Sequence, residues 1–163
     1  MKPTEQDIWQ WLEAVVDPEI PALSITDMGI VRQVTVGTTG AVEISITPTY
    51  SGCPAMDMIT VNIKAVLQER GLDFVTVTSL LSPAWTTDWI TPRGREKLLE
   101  SGIAPPQKAS PDVRTLLPGQ AVVPCPLCGS SDTALLSQFG STACKALYRC
   151  NSCREPFDHF KCH

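Results

Sequence analysis

No run of this sequence is long and apolar enough to span a bilayer, and its first residues, Met1-Lys2-Pro3-Thr4-Glu5-Gln6-Asp7, carry acids where an export signal needs a hydrophobic core. A soluble cytoplasmic protein with no membrane attachment is the expectation. Histidine is almost missing: only His159 and His163 occur, both near the C-terminus, which is a poor stock for acid–base catalysis. There is no nucleophile elbow, no Gly-rich phosphate loop and no HExxH helix, so a self-contained enzyme of those classes is excluded. No internal repeat is present either.

Positive charge is scarce in the larger part of the chain. Residues 1 to 103 hold 7 Lys+Arg against 13 Asp+Glu, while residues 104 to 163 hold 6 against 4, together giving the net charge of -4. An acidic surface of this kind repels phosphate backbones, so nucleic acid is not an expected partner. With 43% hydrophobic and 18% charged residues, the composition is that of a globular protein, and 163 residues accommodate one ordinary domain and a small one. Seven cysteines are an odd number. In the reducing cytosol they point to metal binding or thiol chemistry rather than to a disulfide framework.

Thr4, with Asp7 three residues on, reads as a helix cap, and Ile8, Trp11, Leu12, Val15 and Val16 then recur on one face until Pro18 and Pro21. After a turn at Asp27-Met28-Gly29, the segments Ile30 to Val36 and Val42 to Ile46 alternate as strands do, and the stretch Gly37 to Gly40 suits a hairpin between them. Pro54 opens a second helix with an apolar stripe of Ala55, Ile59, Ile63, Val66 and Leu67, closed by Gly71. A third strand, Phe74 to Leu81, follows this crossover helix and is expected to lie parallel to a neighbour. Thr91-Pro92 begins a last short helix ended by Gly102. The expected class is α/β (α+β): a small mixed-sheet αββαβ(α) domain over residues 1–103, a Pro-rich linker over 104–122 and a four-cysteine zinc ribbon over 123–163.

The ribbon rests on Cys125-Pro-Leu-Cys128 and Cys150-Asn-Ser-Cys153, two knuckles 21 residues apart. Thiolates two residues apart can share one metal, and two such pairs complete a tetrahedron with no open position for water, so the predicted zinc is structural. In so small a segment the metal would supply much of the folding energy. A rubredoxin-like iron site has the same spacing, and paired disulfides are a further alternative. Cys144, Cys162, His159 and His163 are extra ligand candidates; the simpler expectation is a buried thiol at Cys144 and a solvated tail.

The segment Thr47-Pro48-Thr49-Tyr50-Ser51-Gly52-Cys53-Pro54 places a lone cysteine just before a helix, where unpaired N–H groups and the helix dipole favour a thiolate. Cys53 thus stands in a reactive or metal-binding setting, with a buried structural cysteine as the alternative. Gly52 permits close approach of a ligand, and the hydroxyls of Thr47, Thr49, Tyr50 and Ser51 can bind an anion or sulfide. Asp27 is a further polar candidate, though an Asp in a turn before Gly has a local explanation. Trp85-Thr86-Thr87-Asp88-Trp89 is either a partner-binding surface with aromatic anchors or a lid packed on the sheet.

Asp17-Pro18-Glu19-Ile20-Pro21, Asp27-Met28-Gly29-Ile30-Val31 and Thr47 to Pro54 together resemble the SufT-like iron–sulfur assembly domain family over roughly the first 100 residues. With Trp85 to Ile90, Gly102-Ile103-Ala104-Pro105-Pro106 and Phe139-Gly140-Ser141-Thr142-Ala143-Cys144-Lys145, nearly the whole chain looks like the PaaD family, accessory proteins of the phenylacetyl-CoA ring epoxidase. The sequence departs from that pattern at Ala84, where a second proline is expected after Pro83.

The resemblance implies a cytoplasmic, non-catalytic maturation factor of phenylacetate catabolism. Its partners would be epoxidase subunits, particularly the iron–sulfur reductase. The family's characteristic cysteine falls on Cys53, which the resemblance makes a candidate iron or cluster ligand, and its acidic loop residue on Asp27. One thiol cannot hold a cluster, so further ligands would come from a second copy in a homodimer, from the client, or from Cys144 and Cys162. A structural subunit of the epoxidase and a thiol redox protein using Cys53 are the alternatives.

Overall fold

A computed structural model of the chain describes residues 2–107 and 122–161. Most of the expected linker, together with Cys162 and His163, lies outside the described residues. The chain divides into two compact units, one ending at Gly94 and the other beginning at Arg95.

The first unit opens with helix α1 (Glu5–Leu12), and the Thr4–Asp7 capping box is present in full. Asp7 Oδ2 accepts from the Thr4 N–H at 2.8 Å, and the Asp7 N–H donates to Thr4 Oγ1 at 3.2 Å. Such a cap stabilises a helix by about 1 kcal/mol, and α1 turns Ile8 and Leu12 into the core. The helix ends well before Pro18. The Ile25 N–H donates to the Val15 carbonyl at 2.9 Å and Val16 bridges Ser24, so the backbone after α1 is taken up by a returning segment that hydrophobic spacing alone does not reveal.

Strands β1 (Val31–Val36) and β2 (Val42–Ile46) form the expected hairpin, and helix α2 (Ala55–Glu69) crosses to β3 (Val75–Ser79). The sheet order is β1-β2-β3, with β1 antiparallel and β3 parallel to β2, as a crossover connection requires. Pro54 is the N-cap of α2 rather than its first helical residue, a displacement of one position. Val42, Ile44 and Ile46 on one face of β2, Ile59, Ile63 and Leu67 on α2 and Ile8 and Leu12 on α1 are buried in this unit's core. Each such side chain contributes roughly 1.5–3 kcal/mol when removed from water.

Helix α3 (Pro92–Glu100) begins in the first unit and continues into the second. The second unit carries β4 (Ile103–Ala104), β5 (Thr133–Ser137), β6 (Lys145–Cys150) and β7 (Pro156–Phe160), in the order β4-β7-β6-β5. β6 is antiparallel to both neighbours, whereas β4 pairs parallel to β7. Ile103 and Ala104, at the seam between the expected domain and its linker, thus belong to the second sheet. Ala104, Val123, Ala146, Tyr148 and Phe157 surround Cys125 and Cys150 in a small core.

The turn Asp27-Met28-Gly29 is held by close packing. Gly29 has φ +68, and a Cβ there would stand 2.6 Å from the Trp89 carbonyl oxygen. Trp85 Nε1 donates to the Met28 carbonyl at 2.9 Å, so both tryptophans bear on this turn. Gly29→Ala should therefore add left-handed strain to a steric conflict and lower stability by about 2–4 kcal/mol, measured as a lower midpoint in urea unfolding at unchanged slope.

Candidate functional site

The loop from β2 to α2 brings polar groups together at the start of a long helix. Cys53 is buried; its N–H donates to the Tyr50 carbonyl at 3.2 Å, and its own carbonyl accepts from Met56 N–H at 3.3 Å. A cavity of about 100 Å³ is lined by Thr47, Thr49, Tyr50 and Ser51 on one side and by Leu81, Ala84 and Trp85 on the other. Thr47 is 1% exposed, and its Oγ1 has no hydrogen-bond partner among the described residues. A buried hydroxyl without a partner costs roughly 1–3 kcal/mol, so it marks a place where a polar ligand atom would be favoured. A Cβ at Gly52 would meet nothing, so the loop is open at that residue, whereas Cys53, which follows it, is buried and is not part of the cavity lining.

Asp27 is placed elsewhere. It lines a different cavity with Trp9, Glu13, Thr26, Thr91, Pro92 and Arg93. It is 1% exposed, and its Oδ1 accepts from Arg93 Nε at 2.9 Å and from Thr91 Oγ1 at 3.3 Å, while the Asp27 carbonyl accepts from the Thr91 N–H at 2.9 Å. Arg93 also pairs with Glu13, 3.4 Å from Oε1, and the Asp27 hydrogen bond is the main cause that raises the guanidinium pKa above its ordinary value. This carboxylate anchors the start of α3, and Arg93 is the partner that sequence reasoning did not find. Only its place after Pro92 in the last helix could have hinted at it.

In the segment from Trp85 to Trp89, Trp85 and Thr87 are buried, Thr86 and Trp89 half-buried, and Asp88 exposed. Arg32 lies 3.5 Å from the centre of the Trp89 ring, a cation–π contact that the linear sequence conceals. Asp88 is the segment's exposed member.

In the second unit the sulfurs of Cys125, Cys128, Cys150 and Cys153 all lie within 4.8 Å of one another. The Cys125–Cys153 and Cys128–Cys150 separations are 3.8 and 3.5 Å, far beyond a disulfide bond. A tetrahedron with metal–sulfur bonds of about 2.3 Å has edges of about 3.8 Å, so the four thiols fit one zinc ion. They would hold it in a closed, structural site that supplies folding energy and leaves no position for substrate.

Local backbone bonds set this geometry. The Gly129 N–H donates to the Cys125 carbonyl at 2.8 Å with Gly129 at φ +75, and Arg154, the corresponding residue of the second knuckle, adopts φ +70 despite its side chain. Ser130 and Ser152 hydroxyls join the knuckles at 2.8 Å. The Cys153 N–H approaches Cys150 Sγ at 3.5 Å, and this bond is the main cause that lowers the Cys150 thiol to about 6, while Cys128 and Cys153 are pushed up, as crowded thiols without a cation are when one of them ionises first.

Cys144 is not brought to the cluster. It precedes β6 while Cys150 ends it, and a strand rising roughly 3.3 Å per residue separates them by about 20 Å. Its thiol is buried 3.0 Å from Thr142 Oγ1. His159 is also buried, with Nδ1 3.1 Å from the Ala104 carbonyl, and burial lowers its pKa. Cys162 and His163 lie outside the described residues.

A family model described as the PaaD zinc beta ribbon domain matches residues 109–161, and one described as an iron–sulfur cluster assembly protein matches residues 5–78. A protein of Escherichia coli (strain K12) named as a subunit of 1,2-phenylacetyl-CoA epoxidase is 53% identical over 160 residues, covering 98% of this chain and 94% of its own. An Fe–S protein maturation auxiliary factor of Porphyromonas gingivalis is 34% identical over 100 residues, 61% of this chain and 91% of its own. Among solved structures, a domain of unknown function, DUF59, from Bacillus anthracis superposes with a TM-score of 0.55 at 28% identity, covering 58% of this chain and 90% of that one. No helix of the described residues is long and apolar enough to cross a membrane.

Two outcomes are expected from the geometry. Asp27→Asn should lower unfolding stability by about 1–3 kcal/mol, Arg93→Ala should lower the urea midpoint by less because solvent screens its exposed guanidinium, and the double variant should cost less than the sum. The purified chain should contain one zinc per molecule by elemental analysis, and a strong chelator or Cys150→Ser should abolish amide protection across β5, β6 and β7 while leaving α1 and α2 protected.

Proposed function

This chain belongs to the PaaD family, whose Escherichia coli relative is named as a 1,2-phenylacetyl-CoA epoxidase subunit, and on that premise we propose that it is a non-catalytic maturation factor of the epoxidase in aerobic phenylacetate degradation. Cys53 Sγ serves as a transient ligand for iron or an iron–sulfur cluster, which is cargo here and not a resident cofactor. The carrying observation is the β2–α2 loop itself: Thr47, whose buried hydroxyl is unpartnered among the described residues, lines a small cavity with Thr49, Tyr50 and Ser51, and Cys53 follows on the same loop after the open position at Gly52.

A single thiol is a poor permanent anchor and a good point of transfer. Cluster ligation takes several thiolates, so the client supplies the remainder, and hand-over proceeds by ligand exchange: the Cys53 sulfur–iron bond breaks as a client thiolate–iron bond forms, with no change of oxidation state. The iron–sulfur reductase subunit is the client that fits, in the cytoplasm. The zinc-holding unit acts as a docking platform, and its exposed Leu127 and Leu136 provide apolar surface for that purpose. The same exposed leucines support a second reading, a structural subunit of the complex in which Cys53 has no role.

Complementation of a deletion strain with Cys53→Ala, with iron measured in each epoxidase subunit, separates the two. Maturation through Cys53 predicts an assembled but iron-poor complex with most activity lost. Full activity and full iron would leave this chain as scaffold.

A further inference from the structure

The two outer strands of the first sheet end it in opposite ways. β1 carries exposed Arg32 and Gln33 and a register shift between Val31 and Gln33, devices that discourage strand addition. β3 reads Val-Thr-Val-Thr-Ser, with no charge, no proline and no bulge, and among the described residues it is the terminal strand of its sheet. Phe74 and Leu81 beside it are 76% and 69% exposed. Val75 and Val77 share a face with buried Val42 and Ile44 and are themselves only half-buried.

Backbone hydrogen bonds fix which groups of β3 point outward. The Val42 N–H donates to the Phe74 carbonyl and the Leu80 N–H to the Ile46 carbonyl, so residues 74, 76, 78 and 80 direct their peptide groups at β2. By alternation the N–H and C=O of Val75, Val77 and Ser79 face away from the sheet. These odd positions are symmetrically spaced about Val77.

We propose that a second copy of this chain pairs with β3 antiparallel about a twofold axis at Val77, joining two three-stranded sheets into one of six. In that register Val77 faces its counterpart, Val75 faces Ser79, Thr76 faces Thr78 and Phe74 faces Leu80. Val75, Val77 and Ser79 become hydrogen-bonded pairs, so every outward donor and acceptor of both strands is satisfied. Apolar residues meet at Phe74 and Leu80, the threonine pair is hydroxyl to hydroxyl, and no charged residues oppose each other. An arbitrary extended peptide would match the edge hydrogen bonds but not this reciprocal side-chain register. The edge is self-complementary, as an isologous interface must be.

The arrangement has a consequence for the cysteine loop. That loop follows the C-terminal end of β2, which runs parallel to β3, so the twofold axis sends the two Cys53 loops to opposite ends of the joint sheet. Each works independently, and the second copy contributes no ligand to the other's Cys53.

Sedimentation of the full zinc-loaded chain tests this. The wild type is expected at twice the monomer mass. Thr76→Lys with Thr78→Lys places ammonium groups opposite one another at exposed positions, and Val77→Pro removes an outward N–H that β2 does not use. Both should halve the mass while retaining zinc and the far-ultraviolet dichroism of the wild type. Hydrogen exchange should show protected amides at Val75, Val77 and Ser79 in the wild type and lost protection in the lysine variant, which decides the matter if Val77→Pro fails to fold. A monomeric wild type, an undiminished mass in the lysine variant, or protection of these amides by a different polypeptide on a monomer would each overturn the proposal.

Discussion

Four sulfurs within 4.8 Å of one another are the constraint on which the second unit depends. Without a cation they could not all ionise in so small a space, and as neutral thiols they would offer little beyond weak hydrogen bonds. The surrounding core is thin: Ala104, Val123, Ala146, Tyr148 and Phe157 with two of the cysteines, and Leu135 and Cys153 at its margin. A sheet of that size cannot bury enough apolar surface to overcome chain entropy on its own, so metal–thiolate bonds must supply the difference. Even the left-handed backbone at Arg154 follows from this demand. The strain of a non-glycine residue there persists because the second knuckle must present both sulfurs to the same point.

The first unit is organised differently, around a turn rather than an ion. Asp27 to Gly29 receives the Arg93 guanidinium, the Trp85 indole and the Trp89 backbone from later in the chain. These contacts hold Trp85 in place as one wall of the cavity that Thr47, Thr49, Tyr50 and Ser51 complete. Asp27 thus bears on the cysteine loop through structure: it anchors α3 and the turn, Met28 takes the indole hydrogen bond, and the indole shapes the cavity.

Legibility in the sequence followed the range of the interaction. The Thr4–Asp7 cap, the hairpin at Gly37 to Gly40, the parallel β3 and both C-x-x-C knuckles depend on neighbours a few residues away or on chirality that applies to every crossover. The end of α1 did not, because it is decided by Ile25 and Ser24 returning to Val15 and Val16. Nor did β4, whose two residues become a strand only by lying beside Asp158 and His159. Asp27 was visible as a polar residue in a loop, but its partner stands 66 residues later, and no local pattern links the two. Cys53 and its hydroxyl-rich loop were legible as a cluster of chemistry; that Thr47 is the hydroxyl left without a partner required the packed sheet.

The chain therefore contains two kinds of cysteine site, and their difference is one of coordination rather than of residue type. Four thiols that saturate an ion exclude exchange, which suits a part whose task is to stay folded. One thiol just before α2, on a loop that also carries the unpartnered Thr47 hydroxyl, would on the proposed reading leave most coordination positions of a bound iron to another protein. A site so incomplete would be kinetically easy to empty, because only one protein–metal bond would have to break. On the proposed reading, carrying and releasing would place opposite demands on affinity, and a lone cysteine would meet them by making firm binding depend on the client that keeps the metal.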